Sequence, residues 1–286
     1  MKFKGTGAAL VTPFKKDKSV DFEALEKLIN HNIEGGLDFI VSLGTTGESA
    51  TLSYEERKEV VVFTKNTING RIPLVVGIGG NNTNTVVNTI KSGDFTDVDA
   101  ILSVSPYYNK PSQEGIYQHY KEVAQACPVD IILYNVPGRT GSNMLPQTIL
   151  RLAKDFNNIV AVKEASGDLA QNMEVIKQKP GNFAVLSGDD NLVLPQIAAG
   201  MDGVISVAAQ SQTKAFTTMV NYALESNFQE ARKMHYDLLN FMNAIFMDGN
   251  PGGIKYALSL QAIIENELRL PLVPVNEETK NAIKQS

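Results

Sequence analysis

The chain has 286 residues, of which 43% are hydrophobic and 20% charged, a composition typical of a globular protein with a sizeable core. Its formal net charge of −5 and its lack of a basic run argue against nucleic acid as a main partner. Cys127 is the single cysteine, which suits a reducing compartment. No apolar stretch reaches the ~18 residues of a membrane helix. We therefore expect a cytoplasmic protein without membrane association.

Eight short apolar runs recur along the chain with the length of β-strands. They lie at 8–14, 38–44, 72–79, 99–106, 130–137, 159–166, 183–190 and 203–209. Most are almost continuously apolar, as expected of parallel strands that are covered on both faces. We therefore predict eight parallel strands.

Segments with helical periodicity separate these runs. The first has one apolar stripe, made by Phe22, Leu25, Leu28, Ile29 and Ile33. Ser53 and Glu56 have the spacing of a capping box, and Ser112 is a candidate N-cap of a later helix. Eight alternations of strand and helix predict an α/β protein, a (β/α)₈ TIM barrel over residues 1–224. An open doubly wound sheet is the alternative, but its usual strand count is lower and its dinucleotide-binding fingerprint is missing here.

The residues after the eighth run, 225–286, exceed what one closing helix needs. An amphipathic segment at 228–246, a segment at 250–267 that opens with Asn-Pro, and a short segment at 276–284 predict a small helical extension. Asn250 is a candidate cap for the second of these helices, with Pro251 in the first turn.

In a barrel of this kind the active site lies at the carboxyl ends of the strands. Reactive side chains close the predicted strands at Thr45, Thr46, Glu48, Tyr107, Tyr108, Tyr134, Arg139 and Lys163. All three histidines fall inside predicted helices, which disfavours histidine-based nucleophilic catalysis and histidine-ligated metal. We expect no metal, with "SGDD" at 187–190 as the one weak alternative.

Lys163 is the strongest catalytic candidate among these residues, because it lies at the end of an almost wholly apolar strand. Alternation places Ala161 and Lys163 on one face of that strand and Val162 on the other. If Val162 packs against the helices, Lys163 points into the mouth of the barrel, where desolvation favours a neutral, nucleophilic amine. A lysine that reaches the rim or pairs with Glu164 is an equally weighted alternative.

The other candidates each have a structural alternative. Tyr134 could move protons at the site or be a core tyrosine. Thr45 and Thr46 lie in a glycine-flanked turn that could hold a carboxylate or serve only as a turn. Arg139 could bind a second carboxylate or be solvated, and we interpret Glu48 as a hydrogen-bonding residue at a helix start.

Six motifs in order resemble the dihydrodipicolinate synthase family of pyruvate-dependent class I aldolases, which also include N-acetylneuraminate lyase. The motifs are GTTGE (44–48), YYNKPS (107–112), YNVPGRT (134–140), KEASGD (163–168), SGDD (187–190) and GVISV (203–207). The resemblance extends from GTGAALVTPF near the start to NPGGIKYAL near the end, and so covers nearly the whole chain.

The resemblance implies a lyase of the hydro-lyase class with class I aldolase chemistry, acting in diaminopimelate and lysine biosynthesis. Its substrates would be pyruvate and L-aspartate-4-semialdehyde. Lys163 would form a Schiff base with pyruvate, and a proton relay would consist of Tyr134, Thr45 and Tyr108. Tyr108 would reach the active site of a neighbouring subunit, and a homotetramer built as a dimer of dimers is implied.

The same resemblance implies the binding residues. Thr46 and its turn would hold the pyruvate carboxylate, the Ile205 backbone would line the site, and Arg139 would receive the carboxylate of the semialdehyde. No metal or organic cofactor is implied, because the lysine supplies the chemistry.

Two alternatives stay open. A lyase of the same superfamily that acts on N-acetylneuraminate or a keto-deoxy sugar acid would share the lysine and tyrosine, but would match "PGRT" less well. A non-catalytic sensor of a small acid is the alternative from a different class, because fold does not fix function.

Many members of the family are inhibited by lysine. The matching effector positions here are Ser49, Ala50, Tyr54, Arg57, Asn81, Thr85 and Tyr107. Lysine-sensitive members often carry histidine where Tyr54 stands and glutamate where Thr85 stands. Without that acid a bound ammonium is less well compensated, so we predict altered or weakened inhibition, although Arg57 could still grip a lysine carboxylate.

Overall fold

A computed structural model describes residues 2–286, and in these residues eight parallel strands close into one barrel. Each strand pairs with the next in the chain, and the last pairs with the first. The strands are β1 (Gly5–Ala9), β2 (Phe39–Ser42), β3 (Leu74–Gly77), β4 (Ala100–Val104), β5 (Asp130–Asn135), β6 (Ile159–Glu164), β7 (Ala184–Ser187) and β8 (Gly203–Ser206). The predicted (β/α)₈ barrel is confirmed.

The first strand differs from the prediction of 8–14, because it begins at Gly5 and its pairing ends at Ala9. Gly5 and Gly7 of this strand have no room for a side chain, because side chains from the next strand segment occupy that space. A Cβ on Gly5 would lie 2.1 Å from the Asp38 carboxylate, and one on Gly7 would lie 2.2 Å from the Phe39 ring. The later apolar residues of the predicted run leave the sheet and pack in the core.

Helices cover the outside of the barrel. They are α1 (Phe22–Glu34), α2 (Tyr54–Ile68), α3 (Thr83–Ser92), α4 (Gln113–Ala126), α5 (Pro137–Thr140), α6 (Pro146–Asp155), α7 (Leu169–Gln178), α8 (Val193–Ala198) and α9 (Thr213–Leu224). The predicted capping box of α2 is present: Ser53 Oγ accepts the Glu56 N–H at 3.1 Å, and the Glu56 carboxylate accepts the Ser53 N–H at 2.9 Å. Ser112 caps α4 as predicted.

Two apolar cores result from the alternation of side chains along the strands. The inner core fills the barrel with residues from every strand, namely Ala9, Phe39, Val41, Val75, Ala100, Leu102, Ile132, Ala161, Ala184, Leu186 and Ile205. The outer core lies between strands and helices and contains Ile40, Ile101, Ile131, Val162, Val185 and Val204. Both faces of the sheet are therefore buried from solvent, which explains the nearly continuous apolar runs.

The last part of the chain forms α10 (Phe228–Ala244), α11 (Gly252–Leu260) and α12 (Glu277–Gln285). The prediction for the middle helix is wrong at both ends. The helix begins after Pro251 and ends at Leu260, and Asn250 does not cap it. The Asn250 side chain instead donates a hydrogen bond to Thr46 Oγ1 at 3.0 Å. No helix in residues 2–286 combines the length and apolar character that crossing a membrane requires.

Candidate active site

Lys163 lies inside the mouth of the barrel, as the alternation along β6 predicted. Its side chain is on the same face as Ala161 of the inner core, and the residue is only 5% exposed. In the sheet Lys163 is aligned with Tyr134 of β5 on one side and Leu186 of β7 on the other. Its Nζ lies 4.7 Å from the centre of the Tyr134 ring. The amine and the phenol therefore share one buried region at the carboxyl ends of adjacent strands.

Gly188, just after β7, makes room for the lysine side chain. A Cβ at this position would lie 3.1 Å from Lys163 Cε and 2.5 Å from the Ala165 side chain. The Gly188 N–H also donates to the Glu164 backbone oxygen at 2.6 Å. Absence of a side chain at Gly188 thus lets the end of β7 approach the Lys163 side chain closely.

Two acids follow Gly188. Burial raises the pKa of Asp189 and of Asp190, and the positive charge of Lys163 opposes that rise in both. Asp190 Oδ2 accepts the N–H groups of Val207 and Ala208, at 3.0 and 2.8 Å. Both acids therefore lie close enough to Lys163 to interact with its charge. No cluster of three or more His, Cys, Asp or Glu side chains able to hold a metal ion occurs in residues 2–286.

Glu164 points to the opposite face of β6 from Lys163. Its buried carboxylate accepts hydrogen bonds from Asn135 Nδ2 at 2.5 Å, Gln171 Nε2 at 2.9 Å and Ser166 Oγ at 2.9 Å. Burial raises the pKa of Glu164 to about 7, against the lowering effect of these hydrogen bonds. Within the described residues it forms no ion pair with Lys163, so the pairing alternative is not observed.

The turn after β2 presents the two threonines at the same end of the barrel. A short 3₁₀ turn spans Thr45–Gly47, with Thr45 exposed and Thr46 buried. Thr12 Oγ1 donates to the Gly47 backbone oxygen at 2.7 Å, which ties this turn to the segment after β1. Ile205 lies on β8, fully buried in the inner core. Thr45, Thr46 and Ile205 are thus placed on the mouth side, on strands other than those of Lys163 and Tyr134.

Tyr108 and Arg139 lie on the rim. Tyr108 is 88% exposed and adopts a φ of +73°, a left-handed conformation that non-glycine residues seldom adopt. Its N–H donates to the Thr140 backbone oxygen at 3.2 Å, which joins its loop to α5. Arg139 belongs to α5 and is exposed. The structure therefore keeps both side chains near the mouth but outside the buried region around Lys163.

The predicted effector residues lie around the starts of α2 and α3. Ser49, Ala50, Tyr54 and Arg57 precede or open α2, whereas Asn81 and Thr85 flank the start of α3. Asn81 Nδ2 donates to the Tyr107 backbone oxygen at 3.2 Å, which links two members of the set. Tyr54 and Tyr107 are 51% and 40% exposed, so this surface carries two accessible phenols.

The sequence analysis missed several residues at this site. The motif SGDD contributes to the family resemblance and is a weak metal alternative, but neither reading assigns Asp189 or Asp190 a role beside Lys163, and Asn250 is predicted only as a helix cap. The signal for Asn250 was weak, because Asn-Pro is common at helix starts. A stronger signal existed for Lys255, a single charge in the otherwise apolar "GGIKYALSL", because a buried lysine needs a partner.

Comparisons with known proteins point to one family. The family model described as "Dihydrodipicolinate synthetase family" matches residues 2–286. A 4-hydroxy-tetrahydrodipicolinate synthase from Flavobacterium psychrophilum is 55% identical over 281 residues, which cover 98% of this chain and 96% of the relative.

Two solved structures extend the likeness to three dimensions. A chloride-inhibited dihydrodipicolinate synthase from Acinetobacter baumannii, complexed with pyruvate, is 40% identical with a TM-score of 0.95, covering 99% of this chain and 97% of its own. The enzyme from Cyanidioschyzon merolae with lysine bound is 37% identical with a TM-score of 0.95, covering 99% and 96%. With its closed barrel and its buried lysine beside a tyrosine, this chain belongs to the dihydrodipicolinate synthetase family.

Proposed function

We propose that this chain is a lyase that condenses pyruvate with L-aspartate-4-semialdehyde, the 4-hydroxy-tetrahydrodipicolinate synthase reaction of lysine and diaminopimelate biosynthesis. One observation carries the proposal: the buried Lys163 amine lies 4.7 Å from the Tyr134 ring at the mouth of the barrel. A buried lysine beside a phenol is suited to imine chemistry, because the amine is the nucleophile and the phenol can carry protons. The curated relatives with this name support the choice of substrates.

The proposed reaction begins when the Lys163 amine attacks the ketone carbon of pyruvate and water leaves. The resulting iminium is positively charged. Asp189 and Asp190, which follow Gly188, interact with a charge at Lys163 and can stabilise the iminium. Tyr134 takes part in moving a proton from the pyruvate methyl group, which leaves an enamine. The enamine carbon attacks the aldehyde, whose oxygen gains a proton. The amine of the second substrate then attacks the imine carbon, closes the ring and releases Lys163, so that one water is lost overall.

Substrate binding is assigned to the residues at the mouth. Thr46 and its turn hold the pyruvate carboxylate through hydroxyl and backbone N–H groups, and the Ile205 backbone lines the same region. Arg139 is exposed on the rim, where its guanidinium can receive the carboxylate of the semialdehyde in a bidentate manner. Thr45 joins Tyr134 in the proton relay.

Tyr108 supports a further part of the proposal, that the active unit is an oligomer. An 88% exposed tyrosine held in a left-handed conformation is suited to entering the mouth of a neighbouring subunit and completing its relay. We assign a homotetramer, a dimer of dimers, as the assembly. The cytoplasmic location expected from the lone cysteine belongs to the same proposal.

Lysine as an effector is the regulatory part of the proposal. One structural relative was solved with lysine bound, and the effector positions predicted here include Asn81, whose side chain donates to the Tyr107 backbone oxygen. Because Thr85 offers no negative charge for an ammonium, we expect weakened inhibition. An activity titration with lysine tests this expectation, and strong inhibition at sub-millimolar lysine would contradict it.

Coupled turnover tests the function directly. The purified chain should consume pyruvate only when L-aspartate-4-semialdehyde is present, and should not cleave N-acetylneuraminate. Cleavage of the sugar acid without the condensation would favour the related lyase. Binding of pyruvate without any covalent adduct or turnover would favour the sensor.

A further inference from the structure

A fully buried ion pair lies behind the turn that carries Thr45 and Thr46. Lys255 of α11 and Glu48 have side chains with no solvent exposure, and Lys255 Nζ lies 2.5 Å from Glu48 Oε1. The ammonium also donates to the Glu267 backbone oxygen at 2.8 Å and lies 4.1 Å from the centre of the Phe14 ring. This pair plays no part in the proposed chemistry.

Stability alone does not explain the pair. Removing two charges from water carries a large desolvation cost, and apolar residues of similar volume often stabilise a core equally well or better. The rest of α11 is mostly apolar and buried, so a methionine would suit the position of Lys255 in packing terms. A buried pair does, however, fix one geometry, because each charge must find its partner in a defined place.

The geometry that the pair fixes is that of the turn. Glu48 follows Gly47 directly and adopts a left-handed φ of +51°, so anchoring its carboxylate anchors the end of the turn. Glu48 Oε2 also accepts the Arg269 N–H at 3.1 Å. The Arg269 guanidinium reaches further along the same segment and donates to the Thr51 backbone oxygen at 2.9 Å.

The middle of the turn is held from the same side. Asn250 Nδ2 donates to Thr46 Oγ1 at 3.0 Å, from the residue pair that precedes α11. The turn and the residues that follow it are therefore attached to the C-terminal extension at Thr46, at Glu48 and at Thr51. The segment 250–269 supports the proposed carboxylate-binding turn from behind.

We propose that Lys255 and Glu48 are positioning residues, whose buried ion pair sets the turn after β2 in the place where it binds the carboxylate of the oxo-acid substrate. The inference rests on the proposed function, because it takes this turn to be the pyruvate carboxylate site. Neither side chain touches the substrate. Loss of the pair should therefore weaken pyruvate binding more than it slows the later chemical steps.

The test measures borohydride trapping of the pyruvate adduct at Lys163 as a function of pyruvate concentration. In Lys255→Met, well below its melting temperature, the half-saturating pyruvate concentration should rise about tenfold, whereas the maximal extent of trapping changes less than about threefold. An unchanged half-saturation would overturn the inference while leaving the proposed function intact. Absence of any adduct in the wild type would overturn both.

A double variant separates positioning from stability. Glu48→Gln combined with Lys255→Met leaves no unpaired charge, and Gln at this position can still accept the Arg269 N–H. We expect its melting temperature to return toward the wild-type value, because both charges are gone. The raised half-saturation should persist. If half-saturation returned to the wild-type value together with stability, the pair would not be a positioning device.

Lys179→Met is the matched control. Lys179 pairs with Asp202 at 2.7 Å, both side chains are mostly buried, and the pair lies at the amino end of β8, away from the mouth. This variant should lose stability without any rise in the half-saturating pyruvate concentration. An equal rise in the control would mean that general loosening of the barrel, and not the Lys255–Glu48 pair, governs pyruvate binding.

Discussion

Two neighbouring ionisable residues of β6, Lys163 and Glu164, are both buried but serve different surroundings. Because side chains alternate between the two faces of a strand, Lys163 points into the barrel mouth and Glu164 points into the layer between strands and helices. Lys163 lies beside an aromatic ring and two acids, whereas Glu164 is surrounded by amide and hydroxyl donors. Lys163 donates no hydrogen bond to these neighbours, whereas Glu164 is held by three hydrogen bonds.

The pH dependence of stability should reveal Glu164. Its pKa rises from 4.5 to about 7 on folding, so the folded state keeps a proton that the unfolded chain loses. This stabilisation is complete below about pH 4.5 and is lost as the pH rises through about 7. Relative to Glu164→Gln, which is neutral throughout, the wild-type free energy of unfolding should fall by on the order of 2–3 kcal/mol between about pH 5 and pH 8. Denaturant unfolding at both pH values measures this, and parallel pH profiles would contradict it.

Two buried tyrosines allow catalysis to be separated from packing. Tyr134→Phe should lower kcat by roughly 100-fold, because the proton carrier beside Lys163 is removed. Tyr120 is fully buried, and its hydroxyl donates to the Ser103 backbone oxygen at 2.7 Å. Tyr120→Phe should therefore lower the unfolding free energy by about 1 kcal/mol with kcat within threefold of wild type. Steady-state kinetics on both variants decides, and equal losses of kcat would contradict the role of Tyr134.

At this scale the sequence predicted the placement of Lys163 and Tyr134 at the barrel mouth, because strand alternation and position at the carboxyl end determine where such side chains point. It did not predict the partners of Glu48 or Asn250. Glu48 and Lys255 are separated by about two hundred residues of chain and meet only when the C-terminal extension returns to the mouth. Neither strand nor helix periodicity carries information on such a contact.

Among the elements, three of the four odd-numbered strands are held at their amino ends by aspartates that precede the following strand. Asp38 accepts the Thr6 N–H at 2.7 Å, Asp99 the Leu74 N–H at 2.7 Å, and Asp202 the Val185 N–H at 2.9 Å. These contacts fix the register of β1, β3 and β7 at the end opposite the active site. In such a barrel that end serves stability.

Asp38 offers the cleanest test of this arrangement. Asp38→Ala leaves the buried Thr6 N–H without its acceptor and should lower the free energy of unfolding by about 1–3 kcal/mol. Asp38→Asn keeps an acceptor oxygen and should recover most of that loss. The KM for pyruvate should stay within twofold of wild type in both, since the site is at the other end. A KM that followed stability in these variants would contradict the separation of the two ends.

Element boundaries were the weakest part of the prediction, and the reasons are physical. The start of β1 was missed because Gly5 and Gly7 are poor strand residues by propensity, yet tertiary packing by Asp38 and Phe39 requires them there. The end of α11 was missed because the apolar pattern continues past Leu260 into a segment that packs without helical structure.

At the scale of the whole molecule, the exposed Tyr108 is the residue that we propose to act in a neighbouring subunit. If Tyr108 serves the neighbouring subunit, Lys163→Ala and Tyr108→Phe chains should complement each other. A mixed dimer would contain one site with an intact lysine from one chain and an intact tyrosine from the other.

Mixing experiments measure this complementation. After the two inactive variants are refolded together in equal amounts, activity should rise to roughly a quarter of the wild-type value, because about half of the dimers are mixed and each has one intact site. Each variant refolded with itself is the control. Failure of the mixture to exceed the sum of the controls would place Tyr108 in its own chain's site, or outside catalysis.

The central claim is that Lys163 is the nucleophile that captures pyruvate. Mass spectrometry after incubation with pyruvate and borohydride tests it most directly. The wild type should gain the mass of one reduced pyruvate adduct, located by peptide mapping at Lys163, and Lys163→Ala should gain none. An adduct on another lysine, or an equal gain in Lys163→Ala, would contradict the account.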